Sequence, residues 1–357
     1  MHFYESSIIT TTDGLHCQVY GNERPFDGIL IKPKYIPTEK LHSDALPYRF
    51  ISGRRMNRLN LWADKKELKK YVDEFKAKYH EYIYKSAVHD SNRLFFSVPI
   101  NRIERIYFPK KGLSELMSMP VNSLDTHLKI AYDFVNFLLE SGLKLNELGV
   151  TYSTLMGHYL SNMSDINIVV YGKGNFWKLM DFLKKSSNPL LRWKSDEDWM
   201  RFYNGRNRFA IFTKEQFLKN MGRKKSEGYF NGTLFIIFGA ESENEVWFKW
   251  GEEQYKELAL VTVRGRVINN FNSVIRPGCY EIKDSKIISG HEDVTVEKIV
   301  FYSRDYCMLA YPGEFIEACG LLELVTPKKG KQYYRVVVGY FDAYISDRRE
   351  KEFVRVI

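Results

Sequence analysis

Ser153 and Asp165 are the residues whose types and spacing could do chemistry. Ser153 follows the apolar stretch Gly149-Val150-Thr151 and Tyr152, and eleven residues, 154 to 164, separate it from Asp165. The intervening segment reads as a short helix. The next one, with Ile166, Ile168, Val169 and Val170, has the β-branched composition of a strand that stops at Tyr171-Gly172. Asn167 stands two residues after Asp165, and side chains at i and i+2 of a strand point to the same side. A hydroxyl at a strand-to-helix turn, close to such a pair, suits phosphate and a hard cation: the serine donates to a phosphate oxygen and the carboxylate holds magnesium.

This spacing resembles the signature of the polymerase-β-like nucleotidyltransferases, in which a strand ends in Gly-Ser and the next strand carries Asp-x-Asp. More loosely, most of the chain resembles a mainly archaeal family of predicted nucleotidyltransferases with a leading α/β segment and a β-rich tail. The resemblance implies catalytic positions at Ser153, Asp165 and Asn167, with Asp165 as the metal ligand and a third acid on a neighbouring strand. Three departures matter. Tyr152 stands where the glycine lets backbone N–H groups approach the triphosphate. Asn167 offers a neutral carbonyl in place of the second carboxylate. The segment Arg208–Thr213, read as the third strand, carries no acid, although Glu215 and Asp196-Glu197-Asp198 lie near it in sequence. The site is therefore expected to be vestigial or weak, with magnesium as cofactor only if the core is active and none otherwise.

The elements that would position these residues can be read along the chain. Strands are expected near Leu15–Val19, Gly28–Lys34 and Arg102–Phe108. A helix from about Asp64, its N-cap, to Tyr84 has Leu68, Tyr71, Val72 and Phe75 on one face. Lys66, Lys69, Lys70, Lys76 and Lys78 form its solvated face. Lys110-Lys111-Gly112 reads as a linker. Helices follow from about Leu124 to Ser141 and from Asn175 to Lys185, and Ser195 with Asp198 forms a capping arrangement for a short helix. Beyond residue 216 the chain reads as β, with strand candidates at Tyr229–Phe238, Val246–Trp250, Leu258–Val267, Cys279–Ile282, Lys298–Tyr302, Phe315–Val325 and Tyr333–Tyr344. A compact barrel or sandwich is expected there. The fold class is α+β and multidomain: a basic α/β N-terminal domain (1–112), a nucleotidyltransferase-like mixed-sheet core (113–215) and a β-rich C-terminal domain (216–357).

The chain of 357 residues carries a formal net charge of +9. The surplus lies in residues 1–112, which hold 20 Lys/Arg against 13 Asp/Glu. Such a balance permits an anionic partner. Arg49, Arg54, Arg55 and Arg58 are interleaved with Tyr48, Phe50 and Trp62, a composition suited to phosphate contact and base stacking. A second basic cluster comprises Arg206, Arg208, Arg223, Lys224 and Lys225. The alternative for both is a solvated surface, and for the 48 Tyr and Phe residues it is a ring-rich core. Four cysteines without a CxxC pair support neither a zinc site nor a disulfide framework and suit a cytoplasmic location. His158 reads as a surface histidine. No P-loop, signal peptide or membrane-span-length apolar run is present.

These readings converge on a cytoplasmic protein that binds RNA or a ribonucleoprotein, with a nucleotidyltransferase-like core as scaffold and a nucleotide as a further ligand. A magnesium-dependent nucleotidyltransferase acting on RNA or a small acceptor, and a protein-binding assembly factor, are the alternatives. Oligomeric state is not legible.

Overall fold

The structure, a computed structural model, describes residues 5–21, 28–91, 93–161, 163–205, 211–247 and 249–357. It is mixed α+β, with three sheets among the described residues. No helix among them is long and apolar enough to cross a membrane.

The first sheet is antiparallel and contains β1 (Ile8–Thr11), β2 (His16–Val19), β3 (Gly28–Pro37), β4 (Tyr48–Ile51), β5 (Arg54–Arg58), β6 (Ile83–Tyr84), β7 (Phe95–Pro99) and β8 (Ile103–Tyr107). The long strand β3 pairs with β2, β5 and β7, and β4 is an edge. Helix α1 (Lys65–Lys78) begins where the Asp64 carboxylate accepts the N–H groups of Lys66 and Glu67. Its buried Leu68, Tyr71, Val72 and Phe75 join Ile29, Ile31, Phe96 and Val98 of the sheet in one core. Lys66, Lys69, Lys70 and Lys78 stay exposed on the opposite face.

The arginine-rich stretch 48–58 is a hairpin. Ser52 (φ 51°) and Gly53 (φ 76°) both take left-handed backbone angles, the pattern of a two-residue turn whose twist matches the flanking strands.

The second sheet surrounds the Ser153–Asp165 stretch. Its elements are α2 (Pro109–Ser118), α3 (Thr126–Leu139), β9 (Leu148–Val150), α4 (Tyr152–Met156), β10 (Ile166–Tyr171), α5 (Lys173–Lys185), β11 (Leu191–Trp193), α6 (Asp196–Asn204), α7 (Lys214–Met221), β12 (Glu227–Phe230) and β13 (Thr233–Ala240). The strand order is β11-β12-β13-β10-β9, with β10 parallel to β13 and antiparallel to β9. Alternation divides β10: Ile166, Ile168 and Val170 enter the core with α3 and α5, while Val169 and Tyr171 pack with Phe238 and Ala240 on the other face.

Two sequence expectations for this sheet differ in detail. Lys110-Lys111-Gly112, read as a linker, lies inside α2, because Pro109 is preorganised for a first helical turn and Leu113 and Leu116 are drawn into the core. The third strand beside β10 is β13, from the stretch 229–238 assigned to the tail. Of the segment 208–213 proposed for that role, 208–210 lie outside the described residues, and Ile211–Thr213 lead into α7.

The third sheet contains β14 (Glu253–Asn269), β15 (Gly278–Ser289), β16 (Val296–Phe301), β17 (Phe315–Pro327), β18 (Tyr333–Val338) and β19 (Phe353–Val356). Pairing runs β14-β15-β16-β18-β17 and returns to β14, so five strands close into a barrel, with β16 and β18 its parallel pair. This is the connectivity of the OB-type Greek-key barrel. Tyr280, Ile299, Phe301, Leu322 and Val336 fill its interior. The outward Cys279 and Val300 of β15 and β16 are covered by Leu30 and Phe95 of the first sheet. That face of β15 and β16 is partly used to dock the N-terminal segment. Val246–Trp250, expected as a strand, is irregular at its described residues.

Candidate functional site

The first two sheets and the loop after β16 meet at a cleft of about 420 Å³ over the Ser153–Asp165 stretch. Ser153, Asp165 and Asn167 all line it. Ser153 is the second residue of α4, Asp165 immediately precedes β10, and Asn167 lies on the face of β10 shared with Val169 and Tyr171. Among the described residues neither the Asp165 carboxylate nor the Asn167 amide has a side-chain hydrogen-bond partner, and both border the cleft.

The neighbouring strand closes off a two-metal arrangement. In the parallel register Asn167 faces Ile236 and Val169 faces Phe238, and Ile236 and Phe238 line the cleft. An apolar side chain therefore stands where a third carboxylate would complete a metal pair. Glu227 of β12 also lines the cleft, but Lys194 (2.5 Å) and Lys224 (3.0 Å) hold it, and with it their pull outweighs burial to keep its carboxyl down at about 2. With Asp165 as the one carboxylate on the β10 edge and Asn167 a neutral oxygen, the donor set does not fit a two-magnesium centre.

What the cleft does gather is positive charge. Lys32 and Lys34 of β3, Arg49 of β4, Arg58 of β5 and Arg304 from the loop after β16 all line it. Of the three lining carboxylates, Glu227 is held by its two lysines and Asp305 accepts the Ser303 hydroxyl at 2.9 Å, leaving Asp165 facing the cations. Lys34 is held well below the usual lysine value, first by burial and then by Arg58 and Lys32, with Asp165 opposing the shift. His158 is held down at about 4, by burial and then by Lys34 and other neighbouring cations, so it is neutral near pH 7. Its Nε2 lies 3.2 Å from the Tyr35 hydroxyl and its Nδ1 is buried without a hydrogen bond. A site that depresses the charge of its own lysine and histidine gains from an incoming anion.

Tyr152 interlocks the walls. Its backbone has φ 55°, the left-handed conformation that glycine would adopt without strain. Its hydroxyl accepts Nε2 of Gln18 at 2.8 Å and Nη1 of Arg304 at 3.0 Å, and its ring lies under Lys34. Arg304 also donates to Glu5 at 2.6 Å and stacks 3.6 Å from the Phe238 ring centroid.

The structure separates the other sequence candidates. Arg49 and Arg58 face the cleft. Arg54 pairs with Glu39 at 2.8 Å beside the turn. Arg55 lies over Tyr48 on the opposite face of the hairpin. In the second cluster, Arg223 pairs with Glu314 at 2.6 Å, Lys224 is buried on Glu227, and Lys225 is half-buried near the Trp193 ring. Arg206 and Arg208 lie outside the described residues. The sequence reading missed Lys32, Lys34 and Arg304. The two lysines stand two apart on an expected strand, a legible signal; Arg304 comes from a loop with no local motif.

No family model matches the chain. The chain is similar to an uncharacterized protein of the archaeon Methanocaldococcus jannaschii, with 28% identity over 352 residues that cover 96% of this chain and 98% of the relative. No solved structure matches it.

Proposed function

We propose that this chain binds RNA or a ribonucleoprotein through the cationic cleft, and that its nucleotidyltransferase-like core serves as scaffold without transferring nucleotides. The observation that carries this reading is the convergence of Lys32, Lys34, Arg49, Arg58 and Arg304 on one cleft whose central strands offer Asp165 but no second carboxylate. Phosphate contacts of this kind position a nucleic acid and supply most of its non-specific affinity. The test is recovery of the protein from native lysate with and without nuclease. Co-purifying RNA that nuclease removes supports the reading; protein partners that persist after nuclease treatment favour an assembly factor instead.

A second reading, magnesium-dependent nucleotidyl transfer, draws on the shared orientation of Ser153, Asp165 and Asn167 into the cleft. Incorporation of labelled nucleotide into RNA distinguishes it from the first.

A further inference from the structure

The hairpin of β4 and β5 has two faces with different chemistry. Its inner face carries Arg49 and Arg58 into the cleft, while Ile51 and Met56 pack on Tyr35 and Met156 and fix its position. Its outer face carries Tyr48, Phe50 and, directly across from Phe50, Arg55. Tyr48 is 47% exposed and Phe50 68% exposed, although both sit in a regular strand anchored on its other side. The two rings meet edge to face at 6.1 Å, and the Arg55 guanidinium lies 4.2 Å from the Tyr48 centroid. Two rings and a guanidinium held in water on a rigid edge form a surface for flat, electron-rich partners.

Topology links the two faces. β4 is the outermost strand of its sheet, so nothing in that sheet stands between Arg49 on the cleft side and Phe50 on the outer side except the strand itself.

Resting on the RNA-binding reading, we propose that Tyr48, Phe50 and Arg55 form a stacking platform for the unpaired bases of an RNA strand emerging from the cleft. The protein then selects single-stranded RNA, or a single-stranded end, over blunt duplex, because bases in a duplex cannot turn onto a protein ring. Selection is by strandedness and not by sequence, since every base has a stackable face. Charge complementarity singles out this occupant: the rings are flanked by Arg55 outside and Arg49 and Arg58 inside, which suits a polyanion.

The experiment measures affinity for three probes: a short single-stranded RNA, a blunt RNA duplex and inorganic triphosphate. The full chain is compared with Tyr48→Ala/Phe50→Ala, Phe50→Trp and Arg49→Ala/Arg58→Ala. The aromatic double variant is expected to lose single-strand affinity by about tenfold or more, from the usual cost of removing a base-stacking ring. Its binding of the blunt duplex and of inorganic triphosphate stays at the parent level, and its salt dependence is unchanged because no phosphate contact is lost. Phe50→Trp retains parent affinity, and its fluorescence is quenched by the single strand. Unchanged single-strand affinity in the aromatic double variant, alongside loss in the arginine double variant, overturns the platform and leaves the cleft reading standing. Equal loss on all three probes overturns it as well, since stacking acts on unpaired bases alone. If neither double variant changes binding of any probe, the cleft reading fails together with the platform.

Discussion

The Lys34 ammonium lies 3.4 Å from the centroid of the Tyr152 ring. The same tyrosine bonds through its hydroxyl to Gln18 of the first sheet and to Arg304 of the barrel loop. One side chain at a left-handed backbone position thus ties three segments of the chain around the cleft and gives a partly buried cation a π face. The backbone holds a conformation that glycine would adopt without strain, and the ring fills the space beside it.

Replacement of Tyr152 tests that interlock. Tyr152→Phe leaves the Gln18 amide and the Arg304 guanidinium each short of an acceptor, at about 1–3 kcal/mol for unsatisfied polar groups. Tyr152→Gly removes a left-handed backbone penalty of about 1–2 kcal/mol but loses the ring as well. Both variants are expected to melt below the parent. A glycine variant that melts above it would show that the ring contributes less than its strain.

Catalysis is expected to be absent. With labelled nucleoside triphosphates, magnesium and total RNA, the protein should show no incorporation above background. Asn167→Asp alone should not create it, because Ile236 and Phe238 leave the neighbouring strand without a carboxylate. Robust incorporation that Asp165→Ala abolishes would establish the transfer reaction.

The signature stretch was legible because its information is local. β-branched alternation set β10, a strand-to-helix turn set Ser153, and the i, i+2 spacing put Asp165 and Asn167 on one side. The cleft was not legible, because it is built from pairs far apart in the chain: Gln18 with Tyr152, Tyr152 with Arg304, and Arg304 with Glu5. Nor did residue spacing reveal that Arg54, Arg55 and Arg58 would diverge. That outcome needs the Ser52-Gly53 turn, after which strand alternation sends Arg55 to one face and Arg58 to the other. The mixed α+β class followed from periodicity, whereas assignment of Thr233–Ala240 to the central sheet depends on a parallel pairing across more than sixty residues.

The buried pair Glu323–Arg335 is expected to dominate the barrel's sensitivity to mutation. Arg335 donates from Nε to Glu323 at 2.8 Å, and the Tyr340 hydroxyl donates to the other carboxylate oxygen at 3.0 Å. Glu323→Ala leaves a guanidinium buried without its carboxylate, at about 3–5 kcal/mol. The double variant Glu323→Leu/Arg335→Met should lose much less, read by urea denaturation. An equal or greater loss in the double variant would contradict a charge-based origin.

Stability should fall on mild acidification. Burial, then Arg335 and Arg93, hold His89 down at about 3, and burial first of all holds His16 and His158 at about 4, against an ordinary value of 6.5. From pH 6.5 down to about 4 for His16 and His158, and to about 3 for His89, the unfolded chain binds protons that the folded chain refuses, so stability is complete above pH 6.5 and declines below it. His89→Gln should make the decline shallower; a decline unchanged in that variant would assign it to other groups.

The most direct test of the cationic cleft is the salt dependence of RNA binding, followed by fluorescence anisotropy. Each phosphate neutralised on a single strand contributes about −0.7 to the log–log slope. Arg49→Ala/Arg58→Ala should therefore make the slope shallower by about 1.4 and weaken binding to unrelated sequences alike. Lys66→Ala/Lys69→Ala/Lys70→Ala, on the outer face of α1, should leave the slope at the parent value. A parent-like slope in the arginine variant together with a shallower one in the lysine variant would contradict binding through the cleft.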